Sequence, residues 1–268
     1  MRNFGGLVVL INVCLALPVI ATEPLQVELE KNTEASATVK KASPQTSLKA
    51  AFIKRQMKNN ASLGRAIKSI ASHYPQEITN IVSIALDRYP EKYKEIIYAA
   101  ISTQPMATEE IVKIAIEKDI SECESIVKMA IMAEPSYVNF VVSSAANTIP
   151  EDLQDIVRVA VITEPDSADR IVQTLSREHP NEMVEIMKTA IGAVPFVGEY
   201  IVDGLLALFP EEAEAVVENA VREASTQREH IVRIIETAED RGVDPEQLKS
   251  FARNGGATEE EIARATER

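Results

Sequence analysis

Residues 135–165 read PSYVNFVVSSAANTIPEDLQDIVRVAVITEP, and within them a 15-residue pattern that opens with proline occurs twice. Prolines recur at this interval along much of the chain, except for one interval of 30 where Ile120 stands at the expected place. The prolines on this lattice are Pro75, Pro90, Pro105, Pro135, Pro150, Pro165, Pro180, Pro195 and Pro210. A degenerate copy that begins at Asn60 extends the lattice to residues 60–224. Nine of the 13 prolines of the chain fall on the lattice, so we take 15 residues as the repeat unit.

Each unit carries apolar side chains at the spacing of an α-helix. Counted from the proline as position zero, positions six and seven are Ile, Val or Met, and position ten is mostly Ala. In the first quoted unit these residues are Val141, Val142 and Ala145. Steps of three and four residues predict a helix with one buried stripe, and they do not fit the alternation of a strand. Proline and early carboxylates also favour a helix start, because proline loses no hydrogen bond there and negative charge stabilises the positive helix end.

Two architectures share this pattern. A continuous helix would place a proline in the helix interior every 15 residues, at a cost of about 3 kcal/mol each. The other is a helix of about 12 residues, about 18 Å long, and a turn of two or three, so that successive helices run antiparallel. The residues that end the units alternate between small or polar and more charged or bulky. The sequence thus predicts an all-α fold, an α-solenoid of tandem 15-residue helices that pair into 30-residue antiparallel hairpins.

The residues before the lattice indicate export. Residues 1–21 are typical of a signal peptide, with Arg2 as the positive start, an apolar stretch over residues 7–20 and expected cleavage after Ala21. An uncleaved anchor is the alternative, but Asn12 interrupts the stretch, which is shorter than the ~20 apolar residues of a spanning helix. The polar residues 22–47 predict a disordered tether. We expect the protein in the periplasm or outside the cell.

The remaining boundaries follow from where the lattice begins and ends. The helical repeat array is predicted over residues 48–224, and it includes a short basic helix at 48–58 ahead of the regular lattice. That helix is either a contact for an acidic partner or a membrane, or a solvated capping helix. Residues 225–268 leave the lattice and predict polar helices. We expect them to form a C-terminal cap, since solenoids need their open ends covered.

Charge and cysteine content exclude several functions. The chain has 28 basic and 41 acidic side chains and a net charge of −13, which argues against nucleic acid and anionic lipid surfaces as partners. After processing, no apolar segment is long enough for an integral membrane helix. Processing leaves one cysteine, Cys123, so a disulfide framework is excluded. Cys123 either forms an intermolecular disulfide or packs as a small apolar side chain at position three.

We expect no catalytic, metal or cofactor site. The chain lacks the nucleophile elbow of hydrolases, a phosphate-binding loop, a dinucleotide-binding turn and a calcium loop. Its histidines, His73, His179 and His230, lack metal-ligand spacing to one another or to Cys123. The many carboxylates cluster at helix starts, where the helix dipole explains them. The sequence therefore predicts a non-enzymatic protein without a cofactor.

The exposed positions of the repeat remain as candidates for function. Three cations share position eight in alternate helices and predict a ladder along one side, and three aromatic side chains interrupt otherwise polar columns. The candidate partner-binding residues are Tyr98, Lys128, Phe140, Arg158, Lys188 and Tyr200. The ladder is either a docking strip for an extended or charged partner or ordinary solvated helix surface, and the aromatic side chains either bind a partner or cover neighbouring turns. The function that we expect is an exported scaffold that binds a protein or peptide, since aromatic side chains dominate binding energies at interfaces. The alternative is a self-assembling structural protein, a homo-oligomer whose repeats stack end to end into a filament or surface layer.

Overall fold

The computed structural model of the protein describes residues 50–55, 58 and 62–266. The predicted signal peptide at 1–21 and tether at 22–47 lie outside these residues, as does part of the basic helix at 48–58. Residues 50–55 are helical, and fourteen α-helices follow. They are α1 (Leu63–His73), α2 (Ile78–Arg88), α3 (Tyr93–Thr103), α4 (Thr108–Glu117), α5 (Cys123–Ala133), α6 (Val138–Thr148), α7 (Leu153–Thr163), α8 (Ala168–Glu178), α9 (Met183–Ala193), α10 (Gly198–Leu208), α11 (Ala213–Glu223), α12 (Arg228–Asp240), α13 (Pro245–Asn254) and α14 (Glu259–Thr266). No strand occurs in the described residues, and the all-α prediction is confirmed.

A single residue separates each helical segment from the next over most of the lattice. Each lattice proline begins a three-residue 3₁₀ turn that runs directly into an α-helix. The residue before the proline has φ between −126° and −155° and ψ between 55° and 89°, because the proline ring disfavours α geometry in its predecessor. The predicted turn of two or three residues was too long, since the proline and the two residues after it are already wound as helix.

Two backbone hydrogen bonds close each of these links. At the link before α3, the Tyr89 N–H donates to the Ala85 carbonyl at 2.8 Å, and the Lys92 N–H donates to the Tyr89 carbonyl at 2.9 Å. Equivalent bonds at 2.9 and 3.1 Å flank Glu164, the link residue before α8. Proline has no N–H that would need a partner at this point. The chain can therefore change direction within one residue while its backbone groups stay paired.

Helices two places apart run in the same direction and pack on each other. Near the helix starts, the Gly64 N–H of α1 donates to Glu95 Oε1 of α3 at 2.7 Å. Near the helix ends, Gln104 Nε2, just after α3, donates to the Ala71 carbonyl of α1 at 3.2 Å. The N-terminal ends of α1 and α3 are in contact and so are their C-terminal ends, so the two helices are parallel. The helix that connects them, α2, must therefore run antiparallel to both. The predicted 30-residue antiparallel hairpin is confirmed.

Stacking of alternate helices divides the array into two layers. The first row consists of α1, α3, α5, α7, α9, α11 and α13, and the second row consists of α2, α4, α6, α8, α10, α12 and α14. Side chains at positions six, seven and ten fill the interior; in α3 these are Ile96, Ile97 and Ala100, all fully buried. Burial of an Ile or Val side chain stabilises the fold by about 1.5–3 kcal/mol. The repeated apolar stripe is therefore what holds the two rows together.

The lattice is interrupted at the unit that lacks proline. No 3₁₀ turn forms there, and a loop separates the end of α4 at Glu117 from the start of α5 at Cys123. Asp119 in this loop has φ 49°, and it is the one left-handed residue other than glycine in the part of the chain that the structure describes. Aspartate tolerates this geometry better than most residues do. Lys118 Nζ lies 2.5 Å from Asp87 Oδ1 of α2 and fastens the loop to the second row.

The C-terminal helices extend both rows beyond the regular lattice. The link geometry recurs at Gln227, with φ −129° and ψ 74°, although no proline follows it. Beyond it, α12 packs on α10, α13 packs on α11 and α14 packs on α12. The two last connections use Gly242 and Gly256 at φ 83° and 98°, where a side chain would be strained. Residues predicted to leave the repeat pattern thus keep its packing scheme.

Candidate partner-binding surfaces

The outward-facing side chains of the repeat form two separate surfaces. Positions six, seven and ten face the interior, whereas position eight is exposed along most of the first row and position five along the second row. Because the two rows pack against each other, their outer faces lie on opposite sides of the array. The structure divides the six predicted residues between these faces: the first row carries Tyr98, Lys128, Arg158 and Lys188, and the second row carries Phe140 and Tyr200.

The first surface is a column at position eight of the first row. We call it the cationic column, and its members are Lys68, Tyr98, Lys128, Arg158 and Lys188. Lys68 was missed in the sequence, although it holds position eight of the degenerate unit at Asn60. Its Nζ lies 5.7 Å from the centroid of the Tyr98 ring, a distance at which a cation is attracted to the ring face. Tyr98 is therefore part of the predicted ladder and lies between two lysines.

Charge along the cationic column is unequal. Arg158 pairs with Asp155, and Lys188 Nζ lies 2.8 Å from Glu185 Oε1, a hydrogen bond that raises the pKa of Lys188. Lys128 has no carboxylate within ion-pair distance among the described residues, even though Glu124 precedes it by one helical turn. The half of the column near α7 and α9 is thus locally neutralised. The half near α1, α3 and α5 keeps its positive charge.

The second surface is a set of large apolar side chains at the start of second-row helices. We call it the aromatic track, and its members are Met106, Tyr137, Phe140, Phe196 and Tyr200. Four of them are strongly exposed, at 83% for Met106, 50% for Phe140, 53% for Phe196 and 59% for Tyr200. These four occupy positions one and five, which lie one helical turn apart. They consequently share one edge of the outer face.

Contacts within the track divide it into two apolar patches. The Tyr137 and Phe140 ring centroids are 5.4 Å apart, and the Tyr137 hydroxyl donates to Met106 Sδ at 3.2 Å. These three side chains bridge the 3₁₀ turns that precede α4 and α6. Phe196 and Tyr200 form the second patch at the start of α10. Polar residues of α8 lie between the two patches, so the track alternates apolar and polar stretches along the array.

The sequence predicted Phe140 and Tyr200 but not the rest of the track. Met106 and Phe196 follow directly on lattice prolines, at positions that the predicted turn contains. Because the 3₁₀ turn continues into the helix, position one lies over the same edge as position five. The signal that could have found these residues is the four-residue step from Phe196 to Tyr200.

No metal centre is assembled from the described residues. The histidines lie far apart in the array, with His73 at the end of α1, His179 at the link after α8 and His230 in α12. No group of three or more His, Cys, Asp or Glu side chains in the described ranges could hold a metal ion. Cys123 is buried at the start of α5, and this burial, together with nearby carboxylates, raises the pKa of its thiol to about 12. Its environment favours packing over disulfide formation.

Comparisons with protein-family models, curated protein sequences and solved structures found no match to this chain. Within residues 62–266 and the short helical segment before them, no helix is both long enough and apolar enough to span a membrane.

Proposed function

We propose that the chain is an exported, non-enzymatic scaffold that binds an extended polypeptide on the outer face of its repeat array. The aromatic track is the observation that carries this proposal. Of the nine large hydrophobic side chains exposed among the described residues, four lie at positions one and five of the second row. Aromatic side chains and Met are enriched at protein interfaces, and aligned exposed apolar groups mark interaction sites more often than scattered ones do.

The spacing of the track indicates the form of the partner. Phe140 and Tyr200 belong to helices α6 and α10 of the same row, with α8 between them. Stacked helices lie about 8–10 Å apart, so these rings are roughly 16–20 Å apart along the array. An extended chain covers about 3.3 Å per residue, and two apolar side chains five or six residues apart would reach both rings. A short extended peptide with two such anchors fits the track.

Affinity capture with paired variants tests this function. We expect the tagged full-length protein to capture a partner, and the double variant Phe140→Ser/Tyr200→Ser to lose it with unchanged helical circular dichroism. The matched control is Met132→Ser/Ile162→Ser on the first row, because these side chains are similarly exposed, at 52% and 55%. Equal capture by both double variants would remove the track from the proposal. Capture by none of the proteins, the unmodified chain included, would contradict the scaffold function itself.

Export is proposed from the sequence of residues 1–21. Its test is the N-terminal sequence of the protein recovered from outside the cytoplasm of its host. A mature chain that begins at Thr22 is expected, since Ala21 precedes the predicted cleavage point. Recovery of Met1 in that fraction would support the uncleaved anchor, and recovery from the cytoplasm alone would contradict export.

End-to-end assembly is the alternative, and contacts at the last helix count against it. The acidic run at the start of α14 is engaged within the chain: Glu261 pairs with Arg228, and Glu259 pairs with Arg253. These carboxylates are therefore not free to receive the basic residues at the other end of a second copy. Light scattering over a range of concentrations distinguishes the two functions. A fixed small mass supports the scaffold, and polymers that grow with concentration support the filament.

A further inference from the structure

A shallow hollow lies on the first-row face where α1 meets α3. Its lining includes Gly64, Arg65 and Lys68 from α1 and Lys94, Glu95 and Tyr98 from α3. Gly64 holds position four of its unit, where later first-row helices carry side chains, Lys94 being the first of them. A Cβ at Gly64 would lie 3.1 Å from Glu95 Cγ and 3.5 Å from Ala99 Cβ, so glycine here lets α3 pack closely against α1. The Tyr98 ring in the same lining is 44% exposed. The hollow therefore combines an accessible aromatic surface with a ring of polar groups.

The charge of the hollow is positive in a chain that is otherwise acidic. Arg65, Lys68 and Lys94 are exposed, and none lies within ion-pair distance of a carboxylate in the described part of the chain. The one acidic group in the lining, Glu95, already accepts the Gly64 N–H at 2.7 Å. The carboxylate of Glu95 thus lies against the N-terminal end of the neighbouring helix α1, where the helix dipole stabilises negative charge. Three exposed cations and one carboxylate that is already engaged thus line the hollow, whereas the whole chain carries −13.

We propose that this hollow binds an acidic segment of a partner polypeptide. Carboxylates of the segment would pair with Lys68, Lys94 and Arg65, and an apolar side chain next to them would lie against Tyr98. Lys68 Nζ already lies 5.7 Å from the centroid of that ring, so a carboxylate that binds this lysine is brought close to the aromatic face. Opposite charges across an interface speed association and fix the orientation of the partner.

A flat anionic surface fits the hollow less well than a peptide does. Farther along the same face, the outer positions carry Glu124, Asp155 and Glu185, which would approach a membrane together with the lysines. Binding to anionic lipid needs a broad basic face, because each added Lys or Arg contributes only about 1 kcal/mol near the surface. The positive charge here is confined to the end of the array around α1 and α3. A narrow acidic segment can contact that end alone.

The hollow lies on the opposite side of the array from the aromatic track, so its binding does not depend on the track. The probe is a fluorescein-labelled peptide, Glu-Asp-Glu-Phe-Glu-Asp-Glu, and its counterpart has Gln and Asn in place of the acids. Fluorescence anisotropy with the full-length protein is measured in about 10 mM and in about 100 mM salt, where the Debye length falls from about 30 to about 10 Å. We expect the acidic peptide to bind and the neutral peptide to bind at least about tenfold more weakly. The higher salt concentration should weaken binding of the acidic peptide.

Charge reversal locates the binding. Lys68→Glu/Lys94→Glu is expected to weaken the acidic peptide by about tenfold or more, and Tyr98→Ala to weaken it by a smaller factor. The matched control, Lys113→Glu/Arg177→Glu, makes the same change in net charge at exposed positions of the second row. It is expected to leave binding within about threefold of the unmodified protein. The exposed positions of all four cations let both variants fold, which far-ultraviolet circular dichroism checks.

The assignment would be overturned by absence of binding of the acidic peptide, by equal binding of the neutral peptide, by full binding to Lys68→Glu/Lys94→Glu, or by equal weakening in the second-row control. Vesicles of phosphatidylcholine and phosphatidylglycerol in equal parts form a separate arm. If they bind through Lys68 and Lys94 while the peptide does not, the hollow is a lipid site and the proposal is wrong. Partner capture through Phe140 and Tyr200 is read separately, so the two proposals can fail independently.

Discussion

Two glycine-to-alanine substitutions distinguish backbone from side-chain obstacles in the packing of the array. A Cβ added at Gly204, in α10, would lie 2.3 Å from Gln173 Nε2 and 3.0 Å from its Cδ. A Cβ added at Gly255, at the end of α13, would lie 2.6 Å from the Glu218 carbonyl oxygen and 2.8 Å from Val221 Cβ. Distance alone would rank Gly204→Ala as the worse change. The nature of the obstacle reverses that ranking.

At Gly204 the obstacle is the far end of a flexible, half-buried side chain. Gln173 can rotate toward solvent, and alanine in a helix interior is favoured over glycine by about 1 kcal/mol. We therefore expect Gly204→Ala to change the free energy of unfolding by between about zero and about +1 kcal/mol, because the repacking of Gln173 offsets part of the gain.

At Gly255 the obstacle is the backbone of α11. Gly255 has φ −72° and ψ −12°, which any residue adopts, so alanine meets no backbone strain of its own there. Relief of the contact with Glu218 requires α13 to move away from α11, and such overpacking costs about 1–3 kcal/mol. Alanine recovers about 0.4–1 kcal/mol through the unfolded chain. The expected net loss lies between about zero and about 2.6 kcal/mol, by difference between these two ranges.

Urea unfolding followed by circular dichroism measures both changes. Hydrogen exchange locates them, because each unit of a repeat array contacts mainly its neighbours and opens locally. Faster exchange in Gly255→Ala should be confined to α13, α14 and the adjoining part of α11. A larger loss of stability for Gly204→Ala than for Gly255→Ala would refute the reasoning, since it would mean that proximity matters more than the ability of the neighbour to move.

Three further outcomes are expected. Ser176→Ala should preserve or raise stability by up to about 1 kcal/mol in urea unfolding, because Ser176 is fully buried and its hydroxyl has no partner among the described residues. A loss of stability above about 1 kcal/mol would show that the hydroxyl makes a hydrogen bond in the folded protein. Cys123 should react with a disulfide reagent at pH 8 only after unfolding, since a thiol with its pKa raised to about 12 stays protonated. Rapid labelling of the folded protein would contradict this. Finally, the Arg228 hydrogen bond lowers the pKa of Glu261 to about 2 from 4.5, so its contribution to stability is present above pH 4.5 and is lost as the pH falls toward 2. The protection factors of amides in α14, which are exchange rates corrected for the intrinsic effect of pH, should fall over that range, and Arg228→Ala should flatten the dependence.

The fold could be predicted from the repeat pattern because the pattern recurs often enough that an exception in one unit does not change the prediction. Positions six, seven and ten were assigned to the interior from sequence alone, and residues such as Ile96 and Ile97 are fully buried there. The length of the turn was not predictable in the same way. Proline at a helix start is compatible with a first turn of either α or 3₁₀ geometry. In the structure this turn is a 3₁₀ turn. The left-handed Asp119 likewise depends on the packing around one unusual unit.

Five of the six candidate residues are exposed and Lys188 is half-buried, but the sequence did not separate them into two surfaces. Tyr98 and Phe140 were treated together, although one belongs to the unit at Pro90 and the other to the unit at Pro135, an odd number of units away. The 30-residue hairpin already implied opposite faces for them. The pairing of Lys188 with Glu185 three residues earlier, and the isolation of Lys128, could not be predicted, since both depend on side-chain conformation at the surface. The hollow beside Gly64 could not be predicted either, because it forms only where α1 stacks on α3.

Because successive helices alternate between the two rows, it matters whether an odd or an even number of repeat copies is gained or lost from the gene. Both rows bury positions six, seven and ten of the unit, so insertion or loss of a single 15-residue copy preserves the apolar stripe and the packing scheme. Every helix after the event would nevertheless change sides. One copy gained between Phe140 and Tyr200 would leave a stable array whose two aromatic patches face opposite directions. A step of 30 residues would keep both faces intact and lengthen only the distance between the patches. Recombination can thus vary the reach of this protein freely in even steps, while odd steps exchange its two surfaces.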